Sequence, residues 1–128
     1  GRYLYHGVLA LAKNPKYQIA CVGNSSSGIK ETPVFGCPTV NIGSRQLGRL
    51  RGKNVIDVPY SKTSISDAIL RCFNDEQFRQ SSRGTDNPYY LGDAGKKIAE
   101  ILASIKIDEQ LLKKKMTLRG RTKDGWFQ

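Results

Sequence analysis

Small hydrogen-bonding residues crowd positions 23 to 28, where Gly-Asn-Ser-Ser-Ser-Gly follows the apolar run QIACV. Glycines at 23 and 28 permit a tight turn and a close approach of backbone to a ligand, and Ser25, Ser26 and Ser27 add hydroxyl donors. At the carboxyl end of a strand and ahead of a helix, such a turn is built like a cradle for phosphate. Taken by itself, the same string also reads as a Ser-rich N-cap and loop. Glu31 follows within about one helical turn. A carboxylate beside a phosphate is electrostatically wrong unless it faces another part of the ligand, and a ribose with two hydroxyl donors is the group that fits. The other reading of Glu31 is a first-turn glutamate complementing the helix dipole, worth about 0.3 to 1 kcal/mol. Further on, NIGSRQLGR places Arg45 and Arg49 in a loop after a second strand. Two arginines beside neutral donors supply the positive charge that a diphosphate needs, although either alone reads as a solvated loop charge.

These residues need elements to hold them. YLYHGVLALAK, residues 3 to 13, has apolar positions at helical spacing and stops at Asn14-Pro15. His6 lies on this helix among Tyr3, Tyr5 and Val8 and reads as a structural or surface residue. QIACV (18 to 22), PTVNI (38 to 42) and NVIDV (54 to 58) read as three strands. Residues 28 to 35 suit a short helix, in which Pro33 is an awkward guest unless the helix starts late or kinks. The period of SISDAILRCFNDEQF predicts a helix over 64 to 78 with Ser64 or Ser66 as cap, then a loop over 80 to 93 and an amphipathic helix over 94 to 105. Strands without polar alternation, separated by helices, imply a parallel sheet covered on both faces, so the class is α/β.

The chain has 128 residues, of which 38% are hydrophobic and 25% charged, as in one soluble domain. No apolar run approaches the roughly 20 residues of a membrane span, and the N-terminal stretch lacks the pattern of a signal peptide. Cys21, Cys37 and Cys72 are odd in number and have no C-x-x-C spacing, which argues against a disulfide framework and a zinc site. A soluble, cytoplasmic protein in a reducing compartment is the expectation. The formal charge of +10 points to an anionic partner. A net charge of +4 out of the +10 sits beyond residue 105, so residues 1–105 read as the α/β domain and 106–128 as a basic tail or helix. Because 106 to 123 contains no aromatic residue to interleave with its lysines and arginines, nucleic acid is disfavoured as the partner. Trp126 and Phe127 read as packing or tail residues.

GNSSSGIKE, FGCPTVNIGSRQLGR and NVIDV, in that order and at close spacing, resemble the hydrolysing UDP-N-acetylglucosamine 2-epimerases of sialic acid biosynthesis and their bacterial relatives. The non-hydrolysing epimerases resemble the chain less well, since they carry a serine-glycine-glycine turn. The resemblance implies two Rossmann-like domains facing across a cleft, the glycosyltransferase-B arrangement, with this chain as most of the C-terminal one. It implies that Ser25 and Ser26 bind the UDP phosphates, that Glu31 holds the ribose and that Arg45 lines the same site. It further implies that UDP is eliminated from the sugar and that water adds to give N-acetylmannosamine. The acid, base and sugar contacts would come from the N-terminal domain of the same enzyme, so no catalytic residue is assigned in this chain. The partners implied are UDP or UDP-N-acetylglucosamine and that domain, with room for a homo-oligomer and with no membrane, cofactor or metal. A UDP-2,4-diacetamido-6-deoxy hexose is the alternative substrate.

Overall fold

A computed structural model describes residues 1–90, 92–113, 122–123 and 126–127. It divides into two compact units, Gly1–Leu91 and Gly92–Gln128. In the first, helix α1 (Arg2–Ala10) runs on into a 3-10 turn (Leu11–Lys13) that ends at Asn14, as the Asn-Pro signal requires. Strand β1 (Cys21–Gly23) leads into two four-residue helices, α2 (Ser27–Lys30) and α3 (Thr32–Phe35). Strands β2 (Thr39–Ile42) and β3 (Val55–Val58) follow, then helices α4 (Lys62–Asn74) and α5 (Glu76–Arg83). The second unit contains α6 (Ala94–Ser104), α7 (Glu109–Leu112) and an antiparallel pair, β4 (Thr122–Lys123) with β5 (Trp126–Phe127). Of the basic tail, residues 114–121, 124–125 and 128 lie outside the described residues.

The three strands form a parallel sheet in the order β1-β2-β3. Its register aligns Gly23, Asn41 and Asp57 in one row near the carboxyl edge. Helices cover both faces. Val40, Val58, Ala68, Cys72 and Phe78 pack together on the side of α4 and α5, while Leu9, Ala12 and Cys37 pack with Tyr5, Ile19 and Phe35 on the side of α1 and α3. This is the α/β, Rossmann-like arrangement expected, except that β2 reaches β3 through the irregular stretch 43–54 rather than through a helix.

Four boundaries differ from the expectations. Strand β1 begins at Cys21 rather than 18, since only 21 to 23 pair with β2. The proposed short helix breaks at Glu31, which places Pro33 in the first turn of α3, where its missing N–H costs no hydrogen bond. The cap of α4 is Ser61, whose hydroxyl accepts from the Ser64 N–H at 3.3 Å, rather than Ser64 or Ser66. The helix expected over 64 to 78 is two helices: Asp75 leaves the helical conformation and caps α5 by accepting from the Phe78 N–H at 2.9 Å. As a result, helix continues to Arg83 where a loop was expected from 80. The face of α5 buries only Phe78 and Ser82, too few apolar positions to register as a period.

Candidate functional site

At the end of β1, Gly23 takes φ +152, a conformation that favours glycine, and the chain turns through Asn24, Ser25 and Ser26 into α2. Gly28 serves packing. It is buried, and a Cβ there would lie 3.3 Å from Thr39 Cγ2 and 3.7 Å from Cys21 Sγ, so its bareness lets α2 sit close on the sheet. A fully buried polar cluster holds α2 from below. The Thr32 hydroxyl donates to the Gly28 carbonyl at 2.6 Å and accepts from Asn54 Nδ2 at 3.0 Å, with the Thr39 hydroxyl 2.9 Å away. Asn54 Nδ2 also reaches the Cys37 carbonyl at 2.8 Å. In sequence Thr32 looks like a residue of the short helix and Thr39 and Asn54 like strand residues, and only their burial reveals that they anchor the turn.

Helix α1 grips the same short helix from the side. Tyr5 Oη and Ser27 Oγ are 2.7 Å apart, and His6 Nε2 donates to Glu31 Oε2 at 2.6 Å. The third serine is thereby tied to the scaffold. Ser25 and Ser26 are left at the mouth of the turn. The Ser26 hydroxyl meets no protein partner among the described residues, and Ser25 Oγ accepts only a long contact from the Ser27 N–H, at 3.4 Å. Burial raises the Tyr5 hydroxyl pKa above its ordinary value and, as the first cause, does the same to the Cys21 thiol beneath the turn.

On the far side, Arg45 lies against the turn, its Nη1 3.4 Å from Asn24 Oδ1, and the buried Gln46 donates from Nε2 to the Asn24 carbonyl at 2.8 Å. The Arg49 side chain is exposed, and its carbonyl accepts from Arg51 Nη1. A hollow of about 280 Å³ opens here, lined by Cys21, Gly23, Asn24, Ser25, Gly28 and Asn41 among others. The structure therefore brings Ser25, Ser26 and Arg45 around Asn24 and sets Glu31 one helical turn away beside His6. His6, read from sequence as structural or surface, contacts the one carboxylate of the set. The sequence signal for it was slight, a lone histidine on an amphipathic helix.

A larger hollow of about 510 Å³ lies at the opposite, amino edge of the sheet, near Lys13, Phe35, Arg83, Asn87 and Tyr90. Two of its polar groups are engaged by residues outside it. Asn87 donates to the Lys30 carbonyl at 2.9 Å, and Arg83 pairs with Glu76 at 3.7 Å. The convergent, unspent donors are at the carboxyl edge, where open α/β sheets bind ligands. Among the described residues no group of His, Cys, Asp and Glu could hold a metal, and no helix is long and apolar enough to cross a membrane.

A parallel α/β sheet with a serine- and glycine-lined hollow at its carboxyl edge places the chain in the class of Rossmann-like domains. The chain belongs to the UDP-N-acetylglucosamine 2-epimerase family, whose family model matches residues 6–103. It is 38% identical over 100 residues to the polysialic acid biosynthesis protein P7 of Escherichia coli, covering 78% of this chain and 24% of that protein. Over 61 residues it is 44% identical to the UDP-N-acetylglucosamine 2-epimerase of Neisseria meningitidis serogroup B, covering 48% of this chain and 15% of that one. Over 81 residues it is 40% identical to the GDP/UDP-N,N'-diacetylbacillosamine 2-epimerase (hydrolyzing) of Campylobacter jejuni, covering 63% and 19%. The chain thus spans about a quarter or less of the length of these relatives.

Proposed function

We propose that the chain is the UDP-binding part of a hydrolysing UDP-N-acetylglucosamine 2-epimerase, which releases UDP and N-acetylmannosamine for sialic acid-type sugar synthesis. Residues 1–105 form the nucleotide-binding part and 106–128 a basic tail. Ser25 and Ser26, with the turn's backbone N–H groups, take the diphosphate, and Arg45 faces the added charge. Glu31 accepts from the ribose hydroxyls. The observation that carries this reading is the division of labour along the turn: α1 holds Ser27 and Glu31 Oε2, while Ser25, Ser26 and Glu31 Oε1 remain unspent. An open hollow lined by Arg2, Tyr3 and His6 shares His6 with that carboxylate and offers room for the base.

The test is a titration of the full chain with UDP followed by NMR of its backbone amides, in the native sequence and in Arg45→Ala and Arg49→Ala. Shifts are expected at Asn24 to Ser27 and at Glu31. Arg45→Ala should weaken UDP more than uridine, which has no phosphate, whereas Arg49→Ala reports a general loss of positive field. Shifts scattered over the basic surface that vanish steeply with salt would mark non-specific anion or nucleic-acid binding and sink the reading. A second reading keeps the site and changes the sugar to a UDP-2,4-diacetamido-6-deoxy hexose. It is favoured by the names of the relatives from Campylobacter jejuni and Legionella pneumophila, both N,N'-diacetylbacillosamine 2-epimerases (hydrolyzing).

A further inference from the structure

The loop after β2 carries Arg45 and Gln46 yet has no helix or strand of its own between 43 and 52. Beyond its own short turns, its shape is held by Arg51 near its end, which ties it to β3. Arg51 Nη2 donates to the Gln46 carbonyl at 3.0 Å, Nη1 to the Arg49 carbonyl, and Nε stands 2.6 Å from Asp57 Oδ2. The last contact is a charge pair rather than an aligned hydrogen bond, because the Nε–H does not point at the oxygen. Asp57 is itself fixed: its Oδ1 accepts from Asn41 Nδ2 at 2.6 Å across the β2–β3 register. The Arg51 side chain is only 22% exposed, unlike the exposed Arg45 and Arg49, so it is no solvated loop charge. A line of contacts thus runs from β3 through Asp57, Arg51 and the Gln46 backbone to Gln46 Nε2 and the Asn24 carbonyl inside the turn.

We propose that Arg51 and Asp57 are a positioning pair for the diphosphate site: without touching the ligand, they hold the loop so that Arg45 and Gln46 close one wall of the turn. The proposal rests on the nucleotide reading above. A planar guanidinium spreads its donors over a fixed, wide fork that reaches two carbonyls and a carboxylate at once, and the compact ammonium of lysine does not reproduce that geometry, so Arg51→Lys is not a conservative change here.

The test uses the full chain with Arg51→Gln, Arg51→Lys, Asp57→Asn and the Arg51→Gln/Asp57→Asn double variant. In ligand-free protein, hydrogen exchange should quicken at the Leu47 and Arg49 amides, which close turns within the loop, and stay unchanged at the Val40 amide in the core. UDP affinity should fall roughly tenfold in each single variant, with uridine affinity unchanged, because a misplaced wall costs only the phosphate contacts. The double variant should lose no more than the worse single one, since the two residues act as a unit. Equal losses for UDP and uridine would reduce Arg51 to a general stabiliser, and unchanged exchange in the loop would overturn the brace whatever UDP does. A native chain that ignores UDP while Arg51→Gln still loosens the loop would sink the nucleotide reading and leave the brace standing.

Discussion

In the proposed function Glu31 is the residue on which nucleotide recognition would turn, because its carboxylate stands beside an otherwise neutral and cationic turn. His6 occupies Oε2 at 2.6 Å, which orients the carboxylate and leaves Oε1 to accept from a ligand. A hydrogen bond to a charged group is worth roughly 1.5 to 3 kcal/mol, so Glu31→Gln should weaken UDP by about tenfold or more while barely changing affinity for inorganic pyrophosphate. Calorimetric titration with both ligands checks it. Equal losses would mean that Glu31 does not face the ribose. Ser25, Ser26, Glu31 and Arg45 were open to proposal from the sequence because each has a side chain suited to phosphate or ribose. Tyr5, Gln46, Arg51 and Asp57 were not, because their part depends on contacts between elements far apart in sequence. The cysteines make a separate prediction. Burial pushes the Cys37 thiol up to about 12 and the Cys72 thiol up to about 11. Unfolded thiols ionise near 9, so this share of stability is fully present below pH 9 and drains away as pH rises toward 11 to 12. Denaturant unfolding at pH 8 and pH 10.5 should show a smaller drop in Cys37→Ala and Cys72→Ala than in the native sequence. An identical drop would refute the linkage.

At the scale of elements, the Asn-Pro stop signal was read correctly, but the caps that start α4 and α5, equally local, were missed. Asn14-Pro15 ended the first helix as expected, whereas Asp75 looked like one more polar position of a single helix until its carboxylate was seen to cap the next one. Gly36 had no sequence signal beyond being a glycine between Phe35 and Cys37, and the fold gives it two duties. It ends α3 in the left-handed region at φ +60, and it lets the backbone of α5 approach, so that a Cβ would stand 2.7 Å from Arg83 Cα. Backbone cannot step aside as a flexible side chain can. Gly36→Ala should therefore destabilise the fold by about 1 to 3 kcal/mol, seen as a lower midpoint in thermal or denaturant unfolding. Because α3 and the turn share the Thr32 anchor, the same variant should also broaden the amide signals of Ser25 to Ser27. A variant as stable as the native chain would show that α3 and α5 can part without cost.

For the molecule as a whole, the α/β class and all three strands were readable because apolar runs bounded by turn residues dictate them, but a turn suited to binding does not amount to an enzyme. Eliminating UDP from a sugar needs a general base near the sugar C2, an acid for the proton that leaves or returns, and a site closed to bulk water. The turn offers serines, glycines and a carboxylate assigned to the ribose. The chain's single histidine is spent on that carboxylate. Asp57, the nearest other carboxylate on the carboxyl edge, has one oxygen on Asn41 and the other against Arg51. The hollow at the turn is open on one side, so a nucleotide seated there keeps part of its surface in water and loses the burial that tight small-molecule sites achieve. The prediction is that these 128 residues alone bind UDP weakly and turn nothing over, whereas a protein of the relatives' full length releases UDP and N-acetylmannosamine from UDP-N-acetylglucosamine. Incubating each with that substrate and following both products by NMR checks it. Turnover by the short chain would overturn this view and send the search for acid and base to Asp57, Asp86, Asp93 and His6. A full-length protein that binds UDP but leaves UDP-N-acetylglucosamine intact would instead move the assignment to the diacetamido sugar, because the nucleotide end of the site would be right and the sugar end wrong.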